Sequence, residues 1–310
     1  MAFVKRIGLF LLINALVMLT LSLIIQLFGL SPRMSSSGYD MRSLLTFCLV
    51  WGMGGAFISL MLSKVMAKWM MGVKIINPQT TDTGEREIVE LVHRFARAAG
   101  LSKMPEVGVY PSPEVNAFAT GPSKSNSLVA VSSGLLQTMD RRSIEGVIAH
   151  EVAHIANGDM VTMTLIQGIM NAFVMALARI IAFAISNALR SNNEREGGGL
   201  SPMVQWIVIM VLETVFYALG SIVTMWFSRQ REFRADAGGA KFAGRDSMIA
   251  ALRSLQAMTP RNYQVEEQVR AQPAFASLKI SASKPGLAHL FRTHPSLEER
   301  IARLSSGRLA

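Results

Sequence analysis

Four apolar runs divide the chain, and they constrain its fold more than any other feature. Ile7 to Leu30 and Ser43 to Ser63 carry no charge; Val161 to Ala178 is extended past Arg179 by Ile180 to Leu189, and Met203 to Phe227 is broken only by Glu213. A helix needs about 20 apolar residues to cross a bilayer core, so the runs predict four transmembrane helices. Ile7 to Leu30 is too long for the apolar region of a signal peptide, and no small-residue cleavage site clearly follows it. The other reading of the last two runs, a helical hairpin inside a soluble core, is disfavoured by their length. With only 17% charged residues among 310 and half the chain hydrophobic, disordered and collagen-like classes are excluded. The single cysteine, Cys48, rules out an intramolecular disulfide.

Charge gives the orientation. Lys5, Arg6, Lys64, Lys68, Lys74, Arg229, Arg231 and Arg234 flank the runs on one side, and Arg33, Arg42, Arg190 and Arg195 on the other. The richer side is cytoplasmic by the positive-inside rule, which places both termini in the cytoplasm and leaves 31–42 and 190–202 as outer loops. At 1.5 Å rise per residue the depths of Arg179 and Glu213 differ by about 6 Å, so the two can pair within the bilayer in a structural role. The net charge of +10 suits either nucleic acid or an anionic membrane surface. Its dispersion along the chain, with no base-stacking module, favours the lipid bilayer and no nucleic acid.

The chain then divides into 1–64, two spans and an outer loop; 65–160, a soluble part; 161–227, a transmembrane hairpin; and 228–310, a second soluble part. Asp82 to Ala99 predicts a helix stopped by Gly100. Glu106 to Tyr110 and Ser127 to Val131 read as strands, with Val115 to Thr120 an edge strand ending at Gly121-Pro122. Asp140 or Ser143 caps a helix that ends near Asn157-Gly158. Arg231 to Phe242 continues the fourth span as helix, and 260–286, with Pro260, Pro273 and Pro285, reads as a loop or lid.

His150-Glu151-Val152-Ala153-His154 lies on the predicted helix. Residues at i and i+4 share a helical face, so both imidazoles can bind one zinc ion, with Glu151 beside them to reach a metal-bound water. An amphipathic surface helix with two solvated histidines is the bland alternative, but the flanking Gly146, Val147, Ile148, Ala149, Val152 and Ala153 suit a buried one. Catalytic zinc takes a third protein ligand. The other histidines are His93, His289 and His294; the best carboxylates are Glu232 and Asp236, four apart on one face, of which one can bind metal while the other orients a histidine. His154 precedes Val161 by seven residues and Glu232 follows Phe227 by five, so two crossings return the ligands to one side, within about 10 Å of the membrane surface along each helix.

The run from His150 to His154 with Asp159 soon after, then Ser228-Arg229-Gln230-Arg231-Glu232-Phe233-Arg234-Ala235-Asp236 and Thr293-His294-Pro295-Ser296-Leu297-Glu298-Glu299-Arg300-Ile301, resembles the HtpX membrane zinc metalloproteases. The likeness covers nearly the whole chain, Asn116-Ala117-Phe118-Ala119 included; the CAAX-prenyl endoproteases share the core motifs more distantly. The resemblance implies a mostly α membrane protein with a cytoplasmic α+β zincin-like domain around a small sheet. It makes His150, His154 and Glu232 the ligands of one zinc per chain, Glu151 the general base and Asp236 the partner of a ligating histidine. It brings His294 and Arg300 to the oxyanion, although by sequence alone they read as a loop histidine and a solvated helix residue. It further implies quality control of misfolded membrane proteins in the bacterial inner membrane under envelope stress.

On this reading Glu151 takes the proton of the attacking water, and the segment from Asn116 to Ala119 binds substrate as an added strand. The rival class is a metal-binding membrane transporter or adaptor without hydrolytic activity. A transporter should carry polar groups along several spans, whereas only Arg179 and Glu213 lie there and a base stands beside the histidines.

Overall fold

The computed structural model describes residues 40–191, 200–269 and 294–307, with Leu19, Leu23, Gln26, Leu27, Met34, Ser35, Gly38 and Tyr39. The expected first span therefore falls almost wholly outside the described residues, as do Gly197–Gly199 and 270–293. A two-residue hairpin, β1 (Met34–Ser35) and β2 (Gly38–Tyr39), precedes α1 (Met41–Met70), β3 (Lys74–Ile75), α2 (Thr83–Ala98) and β4 (Glu106–Tyr110). Then come β5 (Ala117–Ser123), β6 (Asn126–Ser132), α3 (Ser133–Thr138), α4 (Arg141–Asn157), α5 (Asp159–Ser191), α6 (Pro202–Ala243), α7 (Arg245–Val269) and α8 (Leu297–Ser305). The chain is mostly helical and forms two compact units: one gathers the described residues up to Ser59 with Met163–Thr224, the other Leu60–Thr162 with the described residues from Met225 onward.

In the first unit α1, α5 and α6 are long and apolar enough to cross a membrane, by length and composition. Small residues let α1 and α5 touch: a Cβ built on Gly52 would lie 2.5 Å from the Ala172 nitrogen. Close backbone approach of this kind replaces the hydrophobic drive that lipid cannot supply. Leu44, Cys48, Ala172 and Ala176 fill the contact. The Arg179–Glu213 pair expected from helical depth is present, at 2.7 Å, with Arg179 also donating to the Met175 carbonyl at 2.9 Å.

The second unit is built on a four-stranded sheet ordered β3-β4-β6-β5, in which β4 and β6 run parallel and the other pairs antiparallel. Asp82 caps α2 by accepting from the Glu85 N–H at 2.9 Å, and Gly100 ends it at φ +71°. Ile88, Val89, Val92 and Phe95 of α2 join Val129 and Val131 of β6 and Ile148, Val152 and Ile155 of α4 in one buried core. The edge strand starts at Ala117, not Val115, and passes through Gly121-Pro122 to Ser123. A register shift between Thr120 and Ser123 accommodates the pair, since a proline without N–H is tolerated where an edge strand bulges.

Helix α7 corrects the expected loop from 260. It runs through Pro260 to Val269, continuing a helix whose Met248, Ala251, Leu252 and Leu255 sit at helical spacing and are each at most 2% exposed.

Candidate metal centre

Asp140 accepts from the Ser143 N–H at 2.9 Å and starts α4; Gly158, at φ +73°, ends it. Between them His150, Glu151 and His154 are all buried. Helix α6 reaches α4 because Gly238 and Gly239 lack side chains: a Cβ at Gly239 would meet the Met248 sulfur at 2.5 Å and the His150 nitrogen at 3.1 Å. This approach carries Glu232 and Asp236, 0% and 2% exposed, up to the two histidines.

The inner atoms converge. His150 Nε2 and His154 Nε2 are 3.1 Å apart; Glu232 Oε2 lies 3.4 Å from the first and Oε1 3.5 Å from the second. A tetrahedral ion with bonds of about 2.0–2.1 Å separates its ligands by about 3.3 Å, so the two imidazoles stand at ligand spacing and one Glu232 oxygen faces each of them. Glu232 Oε2 is also buried without a hydrogen-bond partner, a costly condition that a cation relieves. The donor set of two imidazoles and a carboxylate suits zinc.

The outer nitrogens are held. Asp236 Oδ1 lies 3.0 Å from His150 Nδ1, and Asp159 Oδ2 2.6 Å from His154 Nδ1. A carboxylate on each Nδ1 orients the ring and leaves Nε2 to face a metal. Sequence reasoning reached Asp236 but gave Asp159 no role. The signal was available: Gly158 turns the chain through a left-handed residue, so the next side chain folds back onto the helix it has just left.

Arg300 overturns its sequence-only reading as a solvated residue. It is 1% exposed and donates Nε to Asp236 Oδ2 at 2.8 Å and Nη2 to Oδ1 at 2.6 Å. His294, on a bend before α8 as expected of a loop residue, places Nδ1 2.9 Å from Glu232 Oε2. Neither ring nitrogen has a hydrogen-bond partner among the described residues. Beside the centre, β5 is the outer strand, pairing Ala117, Phe118 and Ala119 with Val131, Ala130 and Val129. Asn116, buried just before it, donates its N–H to Ser132 Oγ at 3.1 Å. The strand packs on α4, and Lys124, in the turn that follows it, donates to the Ala156 carbonyl at the end of that helix.

Electrostatics follow from this packing. Burial disfavours a charged His150, but hydrogen bonds with Asp236 and Glu232 outweigh it and raise the ring to about 9. Burial also opposes ionisation of Asp236, yet the Arg300 guanidinium holds it down at about 2. Glu232 is kept well below the ordinary carboxylate range, the surrounding histidines overcoming its burial. Asp236 in turn raises Arg300 against the penalty of burial. Glu151 is 5% exposed; burial pushes the Tyr110 hydroxyl up, with smaller contributions from Glu114 and Glu151. A buried dication site with an adjacent carboxylate can activate water against a carbonyl.

Residues 82–308 match the family described as Peptidase family M48. The Protease HtpX homolog of Bacillus subtilis (strain 168) is 49% identical over 309 residues, covering 97% of this chain and 99% of its own. The Protease HtpX homolog of Bacillus velezensis and Protease HtpX of Aeromonas hydrophila are each 50% identical, over 97% of this chain and 99% of theirs. Among solved structures, S. mikatae Ste24p superposes with a TM-score of 0.60 at 16% identity, a likeness of fold alone; it covers 97% of this chain, which spans 64% of that one.

Proposed function

The chain belongs to peptidase family M48 and is a metalloprotease, and from that premise we propose that it is a membrane-integrated zinc endopeptidase of the bacterial inner membrane. Its proposed substrates are misfolded or damaged membrane proteins, cleaved at the cytoplasmic face under envelope stress. The expected division at 64, 160 and 227 places both halves of the catalytic part and both termini on that face. Trp206 and Trp226 support a bilayer-crossing α6: they are exposed, and twenty residues of helix between them cover about 30 Å, the thickness of the hydrocarbon core.

His150, His154 and Glu232 are the proposed ligands, and the observation that carries the reading is their convergence on one point with a carboxylate behind each imidazole. Bound there, zinc supplies Lewis acidity to water and to the scissile carbonyl. Glu151 takes the proton of the attacking water and later delivers it to the leaving amine. Asp236 and Asp159 fix the imidazoles. Asn116, Ala117, Phe118 and Ala119 align an extended substrate on the edge of β5, an end strand of the sheet among the described residues, where main-chain pairing tolerates varied sequence. His294, whose ring nitrogens have no hydrogen-bond partner among the described residues, donates to the developing oxyanion. A non-hydrolytic transporter or adaptor is set aside by the family.

The test compares the full-length protein in detergent with its Glu151→Gln variant, on a denatured soluble protein and a solubilised membrane protein. The variant should retain one zinc per chain and cleave neither. Wild-type cleavage by the variant sinks the base assignment; wild-type cleavage that survives removal of zinc by a chelator sinks the metal.

A further inference from the structure

We propose that Arg300 is a positioning residue that holds the metal ligand His150 through Asp236, not a donor to the oxyanion. The inference rests on the zinc reading above. Asp236 stands between the two: its Oδ1 meets both His150 Nδ1 at 3.0 Å and Arg300 Nη2 at 2.6 Å, and its Oδ2 accepts from Arg300 Nε at 2.8 Å. A planar guanidinium engaged by two nitrogens on one carboxylate fixes that carboxylate in angle as well as distance. Nη2 also lies 3.4 and 3.5 Å from the two ring nitrogens of His150, so the cation packs on the same imidazole that its carboxylate partner tethers.

A donor to substrate must be reachable, and Arg300 is not. It is among the largest fully buried side chains, at 1% exposure. The one nitrogen without a hydrogen bond, Nη1, faces Glu232 Oε2 at 3.8 Å, so it serves a second ligand rather than open space. Its support is rigid. Ser296 caps α8 by accepting from the Glu299 N–H at 3.2 Å, and Leu297, Ile301 and Leu304 pack the helix onto Met248 and Leu252 of α7. Without the guanidinium, Asp236 and Glu232 would be two buried carboxylates near one another, and Asp236 would have no reason to keep the angle that aims His150 Nε2 at the ligand cluster.

Zinc affinity of the full-length protein in detergent, by competition with a chromophoric chelator at alkaline pH where protons do not compete, separates the roles. Arg300→Met should weaken zinc binding about 10–100-fold, as Asp236→Asn should. The double variant should lose no more than either single one, and Arg300→Lys, which keeps charge and stem, should recover part of the loss even if Arg300→Met does not fold. Zinc-saturated Arg300→Lys should cleave the denatured soluble protein with kcat within a few-fold of wild type. Unchanged zinc affinity in Arg300→Lys with a large fall in kcat, or additive losses in the double variant, overturns the positioning role. A wild-type chain that takes up no zinc overturns the metal reading itself, a different result.

Discussion

The proton on His150 and the metal compete for the same place, and that makes zinc binding steeply dependent on pH. Asp236 holds His150 Nδ1 at 3.0 Å, so in the protonated ring Nε2, 3.4 Å from Glu232 Oε2, carries its proton in the place a metal would take. In the metal-free protein that proton leaves only near pH 9. For one competing proton the apparent affinity is reduced by the factor 1 + 10^(pKa − pH). Taking a pKa of 9, this is 101 at pH 7 and 2 at pH 9, a gain of about 50-fold in zinc affinity between them. An ordinary histidine, at about 6.5, would leave the same interval almost flat. Stability of the metal-free protein runs the other way. A folded pKa above the unfolded value stabilises below about 6.5, and that stabilisation is lost as pH rises through 9; its size is about 3 kcal/mol. Chelator-buffered zinc titrations and thermal unfolding of metal-free protein over this range measure both. Affinity that stays flat above pH 7, or one that climbs a hundredfold per unit as two protons require, refutes the competing-proton account.

Asp159→Asn should weaken zinc binding about 10–100-fold while leaving the apo melting temperature close to wild type, read by chelator competition and thermal unfolding. Gly239→Ala must push a methyl between Met248 and His150; overpacking of this kind costs about 1–3 kcal/mol, and the variant should show a lower melting temperature with reduced zinc retention. In the spans, Arg179→Met alone strands Glu213 among apolar helices and should lower the melting temperature in detergent, whereas Arg179→Met with Glu213→Met should recover most of the loss.

The ligand pair was legible because helix geometry alone brings i and i+4 together, and Glu232 with Asp236 obeyed the same rule. What was not legible depends on tertiary or special backbone geometry. Asp159 reaches His154 only because Gly158 turns left-handed. Arg300 lies on the apolar stripe of α8 with Leu297, Ile301 and Leu304, and a charge on such a stripe signals a buried partner; the helix was too short for that stripe to stand out in sequence. Pro260 argues for a loop on propensity, yet the helix that packs through Met248, Ala251, Leu252 and Leu255 continues past it to Val269. Pro122 likewise ends a strand on propensity and continues one once the edge bulges.

Charge and geometry at the centre can be separated, because Arg300 and Asp236 cancel. Among the described residues, Glu151, Asp159, Glu232 and Asp236 are each at most 5% exposed, and Arg300 is the fully buried cation beside them. Formally that leaves three negative charges in excess, two once His150 carries its proton, and one when a dication takes that proton's place. Such an imbalance is costly to bury, so it pulls a cation in and couples metal uptake to folding. Replacing Asp236 and Arg300 together by Asn and Met removes one charge of each sign and leaves the excess unchanged. Whatever zinc affinity that double variant loses is therefore the loss of orientation at His150, whereas Arg300→Met alone deepens the negative excess, which by charge alone would tighten a dication. If Arg300 acted mainly as a charge, its removal would strengthen zinc binding; a weakening in the folded Arg300→Met variant, matched by Asp236→Asn, points to the fork that holds Asp236 in place.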